Sequence, residues 1–396
     1  MQRTSRQAIL GRGIWPLLGL LAAALLHAGC GSSDAAVEAG TFSSPVAALV
    51  SDGPQEGYSL ATEARPFVFP EDHGPHPDFQ TEWWYFTGHL ETDEGRRFGI
   101  QWTIFRRALI ADMPERASDW ASRQLYMGHV ALTDIEGERH LAAERYARGG
   151  ADLAGAEIRP IKVWLEDWEA VSRDPEDLWP LELRARESTD RGSFGMDLVL
   201  EPRKPHVLQG DRGLSQKHED GASFYYSFTR LDAQGTIDLD GETYRVTGSS
   251  WLDREWSTST LASDQTGWDW FSLQLDDGRD LMFYLLRLDD GSPHPMSAGV
   301  LVDTEGGVTR LALEDVDLEV LETWRSPRSG GVYPARWTLT VPDSGLSLQI
   351  DPVIPDQELD IQFRYWEGAV DVRGESSGQD IAGQGYVELV GYADAA

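Results

Sequence analysis

The stretch WLDREW, Trp251 to Trp256, sets two carboxylic acids two residues apart among indole rings. In an extended strand alternate side chains share a face. Asp253 and Glu255 then point the same way as Trp251 and Ser257, with Cα atoms about 6.5–7 Å apart. Two carboxyls at that spacing converge on one small volume. If they are shielded from water, repulsion and desolvation raise the pKa of at least one. One group can then give up a proton while the other takes one, which is general acid–base chemistry. The plain structural alternative is a surface pair answered by Arg254. Tryptophan on both sides of the pair favours the chemical reading.

A third carboxylate stands against rings in TEWWYFTGHL, Thr81 to Leu90. Alternation puts Glu82, Trp84, Phe86 and Leu90 on one face and Trp83, Tyr85, Thr87 and His89 on the other. After the turn ETDEG, RRFGIQWTIFR supplies Phe98, Ile100, Trp102 and Ile104 to one face of a partner strand. The pair reads as a hairpin with one apolar face. Its other face mixes rings with hydroxyl and amide groups, as suits the wall of a ligand cavity inside a barrel or between sheets.

A second segment repeats the pattern. In GWDWFSLQLDDGRDLMFYLLR, which begins at Gly267, Trp268 aligns with Trp83, Trp270 with Tyr85, Phe271 with Phe86 and Leu275 with Leu90. Arg287 takes the place of Arg106, and Asp269 is again a carboxylate on the apolar face. The repeat implies two similar β-domains in tandem, with a seam between about residues 230 and 265. Short apolar runs cut by Gly, Asp and Pro elsewhere favour strands and turns, and Pro114 to Gln124 is the best helix candidate.

Other motifs weigh less. GESSG, Gly374 to Gly378, fits the serine-hydrolase pattern G-x-S-x-G, but its flanks are an acidic glycine loop and it reads as a turn. His73 and His76 form H-x-x-H beside Asp72, with no third ligand evident, so they read as hydrogen-bonding histidines and no metal is expected. There is no phosphate-cradling or dinucleotide fingerprint, and no cofactor is expected.

The chain has 396 residues, 41% of them hydrophobic, which is ample for a buried core. Its net charge of −32 argues against nucleic acid, whose binding rests on neutralising phosphates with Lys and Arg. Arg3, Arg6 and Arg12 precede an apolar run from Ile14 to Leu26, followed by LLHAGCGSSD with the sole cysteine, Cys30. This layout is a secretory signal resembling that of a bacterial lipoprotein, with Cys30 as the lipidated first residue. The expected organisation is a signal peptide over 1–29, a tether over 30–57 and β-domains over 58–257 and 258–396. Gly31 after the cysteine suggests sorting to the outer membrane, facing the periplasm. The lipid at Cys30 would be the membrane contact.

FPEDHGPHPDFQTEWWYFTGHL, YMGHVALTD, SFYYSFTRL, WLDREWS, GWDWFSLQLDDGRDLMFY and YWEGAVDVRG…GQGYVELVGY follow one another in order. Together they resemble the bacterial carotenoid 1,2-hydratase and AttH-like family, over about Phe67 to Tyr392. The resemblance implies an all-β fold of two tandem lipocalin-like, calycin-type antiparallel barrels. It also implies a site region at Asp253 and Glu255, with Glu82, Trp83 and Tyr85 of the EWWY motif. Trp251, Trp268 and Trp270, with His129 of YMGHVALTD and Tyr226 of SFYYSFTRL, complete the expected ligand contacts. On the hydratase reading, a lipophilic alkene takes a proton from Asp253, water is oriented by Glu255, and Glu82 completes a proton relay. The alternative is a non-catalytic carrier of a lipophilic molecule, or an accessory to a transporter. Carbohydrate chemistry is a weaker third reading, because paired acids and tryptophans also serve glycosidases.

Overall fold

The computed structural model describes residues 56–111, 118, 121–258 and 261–393. The leader, Cys30 and nearly all of the tether lie outside the described residues. So does most of Pro114 to Gln124, although Gln124 itself opens a strand.

The first sheet begins with β1 (Thr81–Glu91), β2 (Arg97–Ala108), β3 (Gln124–Asp134) and β4 (Arg139–Arg148). Then come β5 (Ala154–Ile158), β6 (Ile161–Leu165), β7 (Trp168–Ser172), β8 (Leu181–Thr189) and β9 (Gly192–Pro202). It ends with β10 (Val207–Leu208), β11 (Leu214–His218), β12 (Gly221–Leu239) and β13 (Glu242–Ser257). The second sheet contains β14 (Gln265–Leu275), β15 (Asp280–Leu288), β16 (Ala298–Val302), β17 (Val308–Ala312) and β18 (Asp317–Arg325). Its remaining strands are β19 (Val332–Val341), β20 (Leu346–Pro352), β21 (Glu358–Leu359), β22 (Tyr365–Ser376) and β23 (Gln379–Leu389).

The first sheet runs β4-β3-β2-β1-β13-β12-β9-β8-β7-β6-β5 and curls into a nearly closed barrel, with β6 approaching β2, β3 and β4. Closure needs a strand without a side chain at the crossing. A Cβ on Gly128 of β3 would lie 2.7 Å from Leu165 and 3.0 Å from the Trp168 ring. The second sheet, β17-β16-β15-β14-β23-β22-β20-β19-β18, is a half-barrel. This is the all-β, lipocalin-like architecture expected from the sequence.

Alternation explains both cores. Trp84, Phe86 and Leu90 of β1 meet Phe98, Ile100, Trp102 and Ile104 of β2 inside the first barrel, all buried. The barrel interior is therefore filled with side chains. Phe271, Leu273 and Leu275 of β14 do the same in the second sheet with Phe283, Trp337 and Trp366. The two hairpins hold equivalent places: β1 lies between β2 and the last strand of its sheet, and β14 between β15 and the last strand of its own. Each carries its carboxylate–arginine pair, Glu82 with Arg106 and Asp269 with Arg287. GESSG spans the β22–β23 turn, with Ser377 and Gly378 at φ 52° and 81°.

The opposite face of β1 is buried too, against the second sheet. Tyr85, Tyr225 and Trp251 form one apolar cluster with Trp270, Met282, Tyr284 and Tyr386. Gly99 of β2 permits this approach, since a Cβ there would stand 2.7 Å from the Tyr386 hydroxyl and 2.8 Å from Ala369. Polar bonds fasten the sheets around it. Asp280, fully buried, accepts from Lys204 Nζ at 2.7 Å, Arg230 Nη2 at 2.6 Å and Thr229 Oγ1 at 2.8 Å.

Candidate functional site

β13 lies between β1 and β12, and the register decides what surrounds its carboxylates. Asp253 stands opposite Tyr85 on one side and Ser227 on the other, and Glu255 opposite Trp83 and Tyr225. Neighbours directly across strands share a face. Asp253 and Glu255 therefore project with Trp83, Tyr85 and Tyr225, away from the barrel interior and toward the second sheet. There Trp268 and Trp270 of β14 and Glu388 of β23 complete a cavity of about 140 Å³ between the two sheets. Leu261, Tyr284, Leu286 and Tyr365 add to a mostly apolar lining.

Asp253 is 3% exposed. Its carboxyl accepts from Tyr225 Oη at 2.5 Å, Ser227 Oγ at 2.5 Å and Trp251 Nε1 at 2.7 Å. Burial pushes the group up to about 7, against the pull of those three donors and with a push from Glu255. Tyr225 is itself fixed, accepting from Trp270 Nε1 at 3.2 Å. Glu255 accepts from Ser223 and pairs with Lys217 Nζ at 3.2 Å. Burial alone would lower Lys217, but Glu255 beside it holds the ammonium above its usual range. Lys217 also lies 4.2 Å from the centre of the Tyr284 ring. Glu388 opens onto the cavity. Desolvation raises it to about 8, against a hydrogen bond from Trp268 and with the nearby negative charge of Asp253 and Glu255.

The structure thus brings together Asp253, Glu255, Trp83, Tyr85, Trp268 and Trp270. Trp251 stands just behind them, acting through its bond to Asp253. His129 is a step further back, fully buried, with Nδ1 at 2.9 Å from the hydroxyl of cavity-lining Tyr365.

Two expected contacts lie elsewhere. Tyr226 points into the first barrel, where its hydroxyl meets His73 Nδ1 at 2.7 Å, and its neighbour Tyr225 occupies the cavity wall. Glu82 is the other. It faces the barrel side of β1, opposite in parity to Trp83 and Tyr85, and is sealed in an ionic cluster with Arg106, Arg254 Nη2 at 3.2 Å and His76 Nδ1 at 3.1 Å. Its charge is answered by the Arg106 and Arg254 guanidinium groups, and of this cluster only Arg106 reaches the cavity wall, so Glu82 itself does not line the cavity. His76 bridges on to Asp72 at 3.1 Å and stacks on Trp256 at 3.7 Å, so both histidines of H-x-x-H are hydrogen-bonded. Among the described residues no cluster of three His, Cys, Asp or Glu side chains is placed to hold a metal.

Lys217, Tyr225 and Glu388 were not singled out by motif. Glu388 had a visible signal, a lone carboxylate within the apolar run YVELV, of the same kind that drew attention to Glu82. Tyr225 follows from pairing SFYYSF against WLDREW in the observed register. For Lys217 no local signal exists.

A family model described as AttH-like matches residues 60–392. The crystal structure of an AttH from Nitrosomonas europaea is similar at 37% identity with a TM-score of 0.75, over 85% of this chain and 99% of that one. The crystal structure of kievitone hydratase from Nectria haematococca shares the fold at 16% identity and a TM-score of 0.62, over 85% and 97%. The chain has no match among curated proteins.

Proposed function

The chain belongs to the AttH-like family, and from that premise we propose that it binds a lipophilic alkene between its two β-domains and adds water to it. One observation carries the reading: Asp253, raised to about 7 and cradled by three donors, faces an apolar, ring-lined cavity. At neutral pH such a carboxyl holds a proton for much of the time. Passing it to an alkene carbon consumes the π bond, forms a C–H bond and leaves a cation on the more substituted carbon. Trp83, Trp268 and Trp270 present faces or edges to that volume, and each well-placed ring face stabilises a cation by about 0.5–2 kcal/mol. Tyr225, Ser227 and Trp251 stabilise the Asp253 carboxylate left behind. Water then bonds to the cationic carbon and loses its proton to Glu255, which Lys217 and Ser223 hold in place. Glu255 then releases that proton to solvent and Asp253 takes one back, so both carboxyls return to their starting states and the balance is the addition of one water molecule. That a protein of the same fold is named a hydratase supports this choice of reaction class.

The test is incubation with trisubstituted alkenes in oxygen-18 water. A labelled tertiary alcohol, absent with boiled protein, is the expected product. Tight binding across the panel without label incorporation would instead favour the carrier reading, in which the carboxyls bind the ligand's head group and change nothing.

The reading extends to location. A signal-like run ends at the sole cysteine, and we propose that Cys30 is lipidated and anchors the protein to the outer membrane, facing the periplasm. Cys30→Ser should move the protein from the membrane fraction to the soluble fraction with its circular dichroism unchanged. An unaltered distribution rules out the anchor.

A further inference from the structure

We propose that Glu388, on the cavity wall supplied by the second domain, donates a hydrogen bond to an oxygen of the ligand, so that the substrate class is an oxygen-bearing alkene and not a pure hydrocarbon. The inference rests on the cavity being a ligand site, as proposed above.

Three observations support it. β22 and β23 place Glu367 directly opposite Glu388, and Trp270 of β14 opposite it on the other side. Directly opposed residues have Cβ atoms about 4.5–5.5 Å apart, so the two carboxyls are neighbours on one face. Glu367 is fully buried and accepts from Tyr85 Oη at 2.7 Å, while its Oε2 has no hydrogen-bond partner among the described residues. Two adjacent carboxylates with no cation between them are strongly disfavoured in such surroundings. Desolvation first and Glu388 second hold Glu367 well above the usual carboxylate range, and Glu388 itself reaches about 8. Glu388 is therefore a neutral acid at pH 7. A neutral carboxyl carries an O–H that needs an acceptor, and it is costly to desolvate one without providing it. Trp268 donates to Glu388 and so cannot serve. Glu367, with Oε1 taken by Tyr85 and itself held protonated, has at Oε2 an O–H of its own to place. What Glu388 faces beyond them is the cavity. A hydrocarbon there would leave the donor unanswered, whereas a ligand carbonyl or ether oxygen would answer it.

The matched probes are methylheptenone, an alkenyl ketone, and methylheptene, its hydrocarbon counterpart, titrated by quenching of the tryptophans that line the cavity. The wild-type protein at pH 6 should bind the ketone about 3–10-fold more tightly, the worth of one neutral hydrogen bond. The preference should vanish as pH rises past about 8 and Glu388 becomes a pure acceptor. Asp253, Glu255, Lys217, Arg106 and Arg107 also line this volume, with Glu367 beside Glu388 behind it, and they shift binding of both probes together, so the ratio isolates Glu388. Glu388→Gln, whose amide still donates, should keep the preference and make it independent of pH. Glu388→Leu should abolish it. A preference that Glu388→Leu leaves intact, or that falls with pH equally in Glu388→Gln, overturns this inference alone. Failure of both probes to bind the wild-type protein overturns the cavity reading on which it stands.

Discussion

Asp253→Asn is expected to lower the rate of alkene hydration by about 10²–10⁴, the usual cost of losing general acid–base catalysis, while ligand affinity is largely kept. The substitution is close to isosteric. Its amide oxygen can go on accepting from Ser227 and Trp251, and its NH₂ can donate to the Tyr225 oxygen, so the cradle survives. What is lost is the transferable proton. Rates by label incorporation, set beside affinities from tryptophan quenching, separate the two effects. Full turnover by the Asp253→Asn, Glu255→Gln double variant would end the catalytic reading.

The same substitution has a second consequence that does not require a substrate. Asp253 titrates near 7 in the folded protein and near 3.9 when unfolded, so between those values the folded state binds the extra proton. Stability then falls as pH rises from about 4 to 7, and the penalty is fully present above that range. Glu388 adds a similar term that continues to about 8. Asp253→Asn should therefore be more stable than the wild type at pH 8, with the gap closing toward pH 4. Urea midpoints across that range measure it. A gain in stability with a loss of turnover is the pattern of a site kept at the expense of the fold.

Much of this was legible in one dimension. Strand parity alone put Asp253 and Glu255 on one face and Arg254 and Trp256 on the other, because a two-residue period leaves no freedom within an unbroken strand. The same parity already separated Glu82 from Trp83 and Tyr85. Taking charge beside rings as the mark of a site overrode it, although Arg106 lay in register across the hairpin. Tyr226 was chosen over Tyr225 because adjacent tyrosines are told apart only by the register with β13, which also shifts between Phe228 and Leu231. The remaining parts were hidden for a different reason. Glu388 reaches the cavity because two sheets dock face to face, Glu367 stands beside it through the β22–β23 pairing, and Lys217 enters from β11 of the first sheet, so each arrives by contacts between segments distant in the chain. No local pattern reports that. Docking also decides between the two places a mixed face suited, inside a barrel or between sheets: the lumen is filled by Trp102, Trp168 and their neighbours, and the mixed face lines the space between the sheets.

Glu82 supplies the other large effect, and it separates a structural carboxylate from a catalytic one. Glu82 is fully buried, with Arg106 and Arg254 each 1% exposed around it. Arg254 also donates from Nη1 to the Trp83 carbonyl at 2.6 Å and lies 4.0 Å from the centre of the Trp84 ring. Glu82→Gln keeps the shape but leaves two buried guanidinium groups short of their anion. Removing one partner of such a group typically costs about 3–5 kcal/mol, which a urea midpoint would show directly. The sign with pH is opposite to that of Asp253. Burial opposes ionisation of Glu82, but Arg106, His76 and Arg254 outweigh it and depress its pKa, so its contribution is present above the unfolded value near 4.3 and is lost as pH falls. The gap between wild type and Glu82→Gln should accordingly narrow in acid. If Glu82 were part of a relay, Glu82→Gln would abolish turnover and leave the midpoint in place. The ionic cluster requires the reverse: a large shift in the midpoint, with hydration per folded molecule close to that of the wild type.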